Sequence, residues 1–250
     1  MKRTQSPLSK TELERYNRQM SLPNWGKNGQ KRLKLAKVVV AGAGGLGCPV
    51  SLYLTAAGIG NLTIIDKDKF ELSNLNRQIL GWQRDLGRFK AKVVAEKLVA
   101  LNPEIKIHPL VIEITAENIG ELVQDADVIV DALDNWKTRF IINMECVKRK
   151  IPFIHAGISG LHGQIMTIIP GKTPCLLCLL PETPKEVSSF PVLGVTPSLF
   201  ASLQVMETIK LIVGFGETLT RKMLLFDMES MNFTIIPVER NPDCPICSHL

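Results

Sequence analysis

The stretch 37–47, KVVVAGAGGLG, decides the fold. Lys37–Ala41 is a short apolar run ending in glycines, the mark of a strand buried on both faces. Gly42, Gly44 and Gly47 stand at GxGxxG spacing, and the spacing predicts a helix opening there and running to about Gly58. Such glycines permit a tight turn and let backbone approach a phosphate, while the helix start offers free N–H groups and the positive end of its dipole. Residues 61–66 read as the next strand. They end on Asp66, about twenty residues beyond the glycines, where an acid can bind ribose hydroxyls. This arrangement suits NAD as well as ATP, and a ligand-free strand–helix turn is the plain alternative.

Outward from this stretch, helical patterns are expected at 9–20, 27–35, 89–101 and 135–149. Strands are expected at 105–111, 127–130 and 152–155. Ser9 can cap the first helix, with Glu12 three residues on as a capping box requires. Strand and helix alternate, which predicts an α/β fold with a Rossmann-like, doubly wound and mostly parallel sheet. After residue 160 the pattern changes to antiparallel strands at 162–169 and 223–236. A Pro/Ser/Glu-containing loop (181–191) and a helix near 197–213 lie between them. The expected organisation is one domain over 1–250. It divides into a helical N-terminal segment (1–35), a nucleotide-binding core (36–160) and a β-rich, zinc-bearing part (161–250) folded onto the sheet.

The 250 residues are 45% hydrophobic and 22% charged, an ordinary globular balance that argues against disorder. No apolar run approaches the ~20 residues that span a bilayer. The basic N-terminus has no apolar stretch behind it, as a secretory signal would. A cytoplasmic location with no membrane partner is expected. Net charge is +6, and residues 1–40 hold ten Lys/Arg against two Asp/Glu. That segment is a solvated face or a contact for phosphates or an acidic partner. No recognition motif supports nucleic acid.

Four features favour ATP over NAD. Residues 73–78 read SNLNRQ, Lys90 begins a helix after Gly87-Arg88-Phe89, Asp134-Asn135 follows the strand DVIVDAL, and RYNRQ occupies 15–19. A triphosphate carries about four negative charges, which Arg77 and Lys90 can neutralise, Arg in bidentate fashion. Asp134 stands at the carboxyl end of a strand, where open α/β sheets bind ligands and where a carboxylate can hold Mg²⁺. Six cysteines are present, four of them in two Cys-x-x-Cys pairs, Cys175 with Cys178 and Cys244 with Cys247. In a cytosolic chain this reads as a structural, tetrahedral Zn²⁺ site, with redox dithiols the alternative. Cys48 sits at a helix start, where a thiolate would be favoured. A packed small side chain is the preferred reading there, as core is for Cys146. His155 and His162 are read as structural.

RYNRQ, GAGGLGCP, Asp66 with Asp68, LSNLNRQ, Lys90 and the DN dipeptide occur in order, with the cysteine pairs closing the chain. Together they resemble the MoeB/ThiF/HesA branch of the ubiquitin-activating superfamily over about residues 12–248. The resemblance implies adenylylation of the C-terminal carboxylate of a ubiquitin-like sulfur-carrier protein ending in Gly-Gly, with ATP and Mg²⁺, releasing pyrophosphate. It implies that Gly45, Asp66, Asn74, Arg77, Lys90, Asp134 and Asn135 contact ATP or its magnesium, with Gly42, Gly44, Gly47, Asp68 and Gln78 completing the nucleotide site. Arg18 would reach the ATP of the other subunit of a homodimer. Arg18, Arg77, Lys90 and Asp134 are thus the expected catalytic set.

Several members of the branch carry a further cysteine after the first zinc pair. Here 179–193 holds none, and the matching position falls near 187–189 in a loop about three residues short of the family's usual length. A separate sulfur donor is therefore a candidate partner. Adenylylation of a small-molecule, peptide or tRNA-borne carboxylate is the alternative reading. A nicotinamide oxidoreductase and a nucleotide-regulated scaffold are the readings from other classes.

Overall fold

Side chains along the first strand, β1 (Lys37–Ala41), enter two different cores. Val38 and Val40 pack on one face of the sheet, Val39 and Ala41 on the other. A strand covered on both sides must be apolar throughout, which is why KVVVA carries no alternation. The computed structural model describes residues 7–182, 184–185 and 191–250. The other strands are β2 (Asn61–Ile65), β3 (Lys106–Leu110), β4 (Val128–Asp131), β5 (Phe153–Ser159), β6 (His162–Ile168), β7 (Lys222–Asp227) and β8 (Asn232–Pro237). The helices are α1 (Lys10–Arg15), α2 (Asn17–Met20), α3 (Gly26–Leu35), α4 (Gly47–Ala57), α5 (Lys90–Leu101), α6 (Ile119–Leu122), α7 (Trp136–Arg149), α8 (Leu176–Leu179) and α9 (Val195–Val213).

The strands form one sheet in the order β3-β2-β1-β4-β5-β6-β7-β8. Pairing is parallel from β3 to β5 and antiparallel from β5 to β8. Helices α3, α4, α5 and α9 cover the first core, and α6, α7 and α8 the second. β1 lies between β2 and β4, so the winding reverses beside it, and a crevice opens at the carboxyl ends of these strands. Gln204 of α9 ties that region together, donating to the backbone oxygens of Asp131 (2.6 Å) and Ile154 (3.2 Å). Among the described residues no helix is long and apolar enough to cross a membrane.

The expected alternation of strands and helices is present. The Ser9 capping box forms, with Glu12 N–H donating to Ser9 Oγ at 3.1 Å and Ser9 N–H to Glu12 Oε2 at 2.6 Å. Two features differ. The C-terminal strands continue the sheet instead of folding onto it. β5 runs on to Ser159, turns at Gly160 (φ 60°) and returns as β6, pairing Phe153 with Ile168 and Ser159 with His162. The short helices α6 and α8 were not expected, because one turn shows no hydrophobic period.

Phe153 is fully buried in the second core. Phe153→Ala is expected to lower unfolding free energy by about 3–5 kcal/mol in urea titration. A loss below about 1 kcal/mol would mean that this face of the sheet is not close-packed.

Candidate active site

The glycine turn is set by contacts that leave no room for side chains. Gly42 has φ 107°, and a Cβ there would lie 2.4 Å from the backbone oxygen of Ala132. A Cβ on Gly47 would lie 1.9 Å from the Gly42 oxygen, so the helix start closes directly over the end of β1. Asp66 fastens the turn to β2. Its carboxylate accepts from Ala43 N–H at 2.7 Å and Asp68 N–H at 2.8 Å. Burial raises the Asp66 pKa, opposed by the positive charge of Lys90 and by these two N–H groups.

A cleft of about 1240 Å³ opens over this turn. Gly42, Gly44 and Gly45 line one wall, with Asp66 and Asp68 beside them. Arg77, Gln78 and Lys90 form a second wall, and Asp134 and Asn135 enter from the start of α7. Local structure explains each placement. Arg77 follows the 3-10 turn Leu72–Asn74, and its guanidinium donates to Ser73 O at 2.9 Å and Asn76 Oδ1 at 3.0 Å. Lys90 opens α5, is buried to 7% exposure, and holds its ammonium 3.4 Å from Asp68 Oδ2. Asp134 is exposed in the cleft. Asn135 caps α7, its Oδ1 accepting from Thr138 N–H at 2.9 Å.

Three expected residues stand apart from the cleft lining. Gly47 is packed under the turn. Asn74 is buried and caps its own turn, accepting from Glu71 N–H at 3.1 Å. Arg18 is exposed on α2. Cys48 is buried, donates to Ala43 O at 3.2 Å, and has its pKa pushed up to about 12 by burial, so it is a packed thiol. Cys146 is likewise buried, with its pKa raised. The 187–189 position lies outside the described residues.

Sequence reasoning missed a buried polar network beneath the cleft. Asp131 has 0% exposure. Its carboxylate accepts from His155 Nδ1 at 2.7 Å and from Arg139 Nε at 3.1 Å. Burial lowers the His155 pKa and so keeps the ring neutral, while the Arg139 charge and the His155 hydrogen bond hold the Asp131 pKa down. With Nδ1–H donated to Asp131, His155 Nε2 accepts from Gln164 Nε2 at 3.3 Å. The members come from β4, α7, β5 and β6, and no local pattern joins them. His162, by contrast, is an exposed residue at the cleft rim, 3.4 Å from Asp227.

The four paired cysteines meet within the second core, with all Sγ atoms within 4.8 Å of one another. Observed separations are 3.9 Å for Cys175–Cys178, 3.7 Å for Cys175–Cys244 and 3.3 Å for Cys178–Cys247. A tetrahedral thiolate site with bonds of about 2.3 Å has edges of about 3.8 Å, so the set fits one metal ion.

The lowered His155 pKa makes stability depend on pH. The unfolded chain takes up a proton near the ordinary value of 6.5, and the folded chain resists it. The contribution is therefore complete above 6.5 and lost as pH falls below it. Thermal unfolding from pH 8 to 5 should show this fall, and His155→Gln should flatten it. An equal fall in the variant would assign it to other groups.

The ThiF family model matches residues 16–246. The heterocyst HesA protein of Trichormus variabilis is 42% identical over 246 residues, covering 97% of this chain and 91% of that protein. The sulfur carrier protein adenylyltransferase of Thermus thermophilus is 40% identical, covering 96% of this chain and 92% of its own. The SAMP-activating enzyme E1 of Haloferax volcanii is 39% identical, with 96% and 90% covered. Among solved structures, Escherichia coli MccB with ATP superposes with TM-score 0.83 at 27% identity, covering 96% of this chain and 76% of that one. With the family model matched over residues 16–246 and these relatives covered along nine-tenths of their length, the chain belongs to the ThiF family of enzymes.

Proposed function

We propose that this chain uses ATP to adenylylate the C-terminal glycine carboxylate of a ubiquitin-like sulfur-carrier protein ending in Gly-Gly. The observation that carries this reading is the convergence of the glycine turn, Arg77, Lys90 and Asp134 on one cleft. A carboxylate oxygen forms a bond to the α-phosphorus. The bond from that phosphorus to the bridging oxygen breaks, and pyrophosphate leaves with the electron pair. The nucleophile is already ionised at neutral pH, so no general base is needed and catalysis rests on positioning and charge.

Arg77 and Lys90 neutralise phosphate oxygens, and the N–H groups of the glycine turn cradle them. Asp66 takes the ribose. Gln78 lines the cleft beside the glycine turn, with its Nε2 3.8 Å from where a Cβ on Gly44 would stand. Magnesium, when bound, spreads the charge that builds on the leaving pyrophosphate. Asp134 would hold it, since the carboxylate's one hydrogen bond among the described residues is a 3.5 Å contact from Asn135. The chain is taken as one adenylation unit, and Arg18 is assigned to the ATP of a second copy in a homodimer. With Cys48 sealed in the core, a separate sulfur donor would take over the acyl-adenylate. The cysteine cluster is assigned to a structural Zn²⁺. A peptide carboxylate outside the carrier class is the second reading, favoured by the likeness to MccB, solved with N-formylated MccA.

ATP–pyrophosphate exchange should depend on a Gly-Gly-terminated carrier, and Asp134→Ala should reduce it at least about a hundredfold with the fold intact. Normal turnover in that variant would remove the magnesium role, and exchange with no carrier would point to the peptide reading. Cys178→Ser should lower both bound zinc and the melting temperature. Unchanged metal stoichiometry would overturn the four-thiolate assignment.

A further inference from the structure

Two groups of the buried network reach the cleft without a role in binding ATP. Arg139 is 5% exposed, yet it lines the cleft. Its Nε is engaged by Asp131, and its Nη2 by the backbone oxygens of Leu133 and Ala156. Its Nη1 makes no hydrogen bond among the described residues. Trp136 packs against the guanidinium, with the ring centre 4.9 Å from Cζ, which fixes its plane. Gln164 lines the same cleft. The His155 contact orients its amide, because neutral Nε2 accepts only from the amide nitrogen.

Gly157 lies between these two groups. A Cβ built there would be 3.6 Å from Gln164 Nε2 and 3.9 Å from Arg139 Nη1. The two donors thus flank one place on β5 that carries no side chain. Leu133, which Arg139 holds, immediately precedes Asp134.

We infer that Arg139 and Gln164 are the donors that receive the substrate's terminal carboxylate, on either side of Gly157, next to the phosphate to be attacked. The inference rests on the adenylylation reading above. The free guanidinium nitrogen, Nη1, and the oriented amide offer one donor to each of a carboxylate's two oxygens, and a tail without side chains can lie along Gly157. Asp131 and His155 are positioning residues. They hold both donors in one orientation and never meet the substrate.

The test uses the full chain, Arg139→Lys and Gln164→Leu, and two probes. The first is a ubiquitin-fold carrier ending in Gly-Gly, assayed by pyrophosphate exchange. The second is a pair of peptides ending in Gly-Gly, one a free carboxylate and one an amide, titrated against tryptophan fluorescence. Each variant should raise KM for the carrier by about tenfold or more while KM for ATP changes less than about twofold. The wild-type preference for the carboxylate peptide should be lost in both. An unchanged carrier KM in both variants, or an equal rise in KM for ATP, overturns the inference. If the wild-type chain exchanges with no carrier, the adenylylation reading fails for carriers. The peptide pair then decides alone: a carboxylate preference lost in the variants keeps the assignment, and no preference in the wild type ends it.

Discussion

Everything in this chain depends on how closely the backbone at Gly47 approaches the carbonyl of Gly42. With a Cβ 1.9 Å from that oxygen excluded, only glycine lets α4 begin so near the end of β1. The approach fixes where the helix points, and therefore where its free N–H groups face. It also leaves Ala43 N–H turned toward β2, where the Asp66 carboxylate accepts it at 2.7 Å. The charge on Asp66 is costly to bury, and Lys90 and the turn together offset part of that cost. A binding wall, a strand end and a buried cation are in this way coupled through one turn.

Around that turn the cleft collects charges that would repel or dissolve if left alone. Lys90 is nearly enclosed beside Asp68, and Arg77 is braced by its own loop. Asp134 is left exposed in the cleft.

Much of this was legible in the sequence because it is local. A glycine spacing, a doubly buried strand, a Ser–Glu capping box and two Cys-x-x-Cys pairs each declare themselves within a few residues. Asp134 was readable as a strand-end charge and Lys90 as a helix-start charge, and Arg77 stood out in the SNLNRQ stretch. Gly47 and Asn74 carry motif identities, yet the structure uses both for packing and capping. The Asp131–His155–Arg139–Gln164 network was not legible, since its members lie on four elements and meet only when the sheet is assembled. His155 looked like an ordinary core histidine, and a single sequence does not show which carboxylate would lie beside it. The continuation of the sheet past Gly160 was missed for the same reason, because edge pairing is decided by the neighbouring strand.

The cysteine cluster has a consequence for the order of events as the chain leaves the ribosome. Cys175 and Cys178 emerge long before Cys244 and Cys247, with α9, β7 and β8 between them. Closing so long a loop carries a chain-entropy cost that grows slowly with length, and a metal ion can meet it only after the last pair has appeared. Nascent chains would spend that interval with half a site, two thiols open to stray metal or oxidant. On the structural-metal assignment proposed above, cellular metal supply and redox balance would then influence how much of the synthesised protein matures, quite apart from how well the mature protein works.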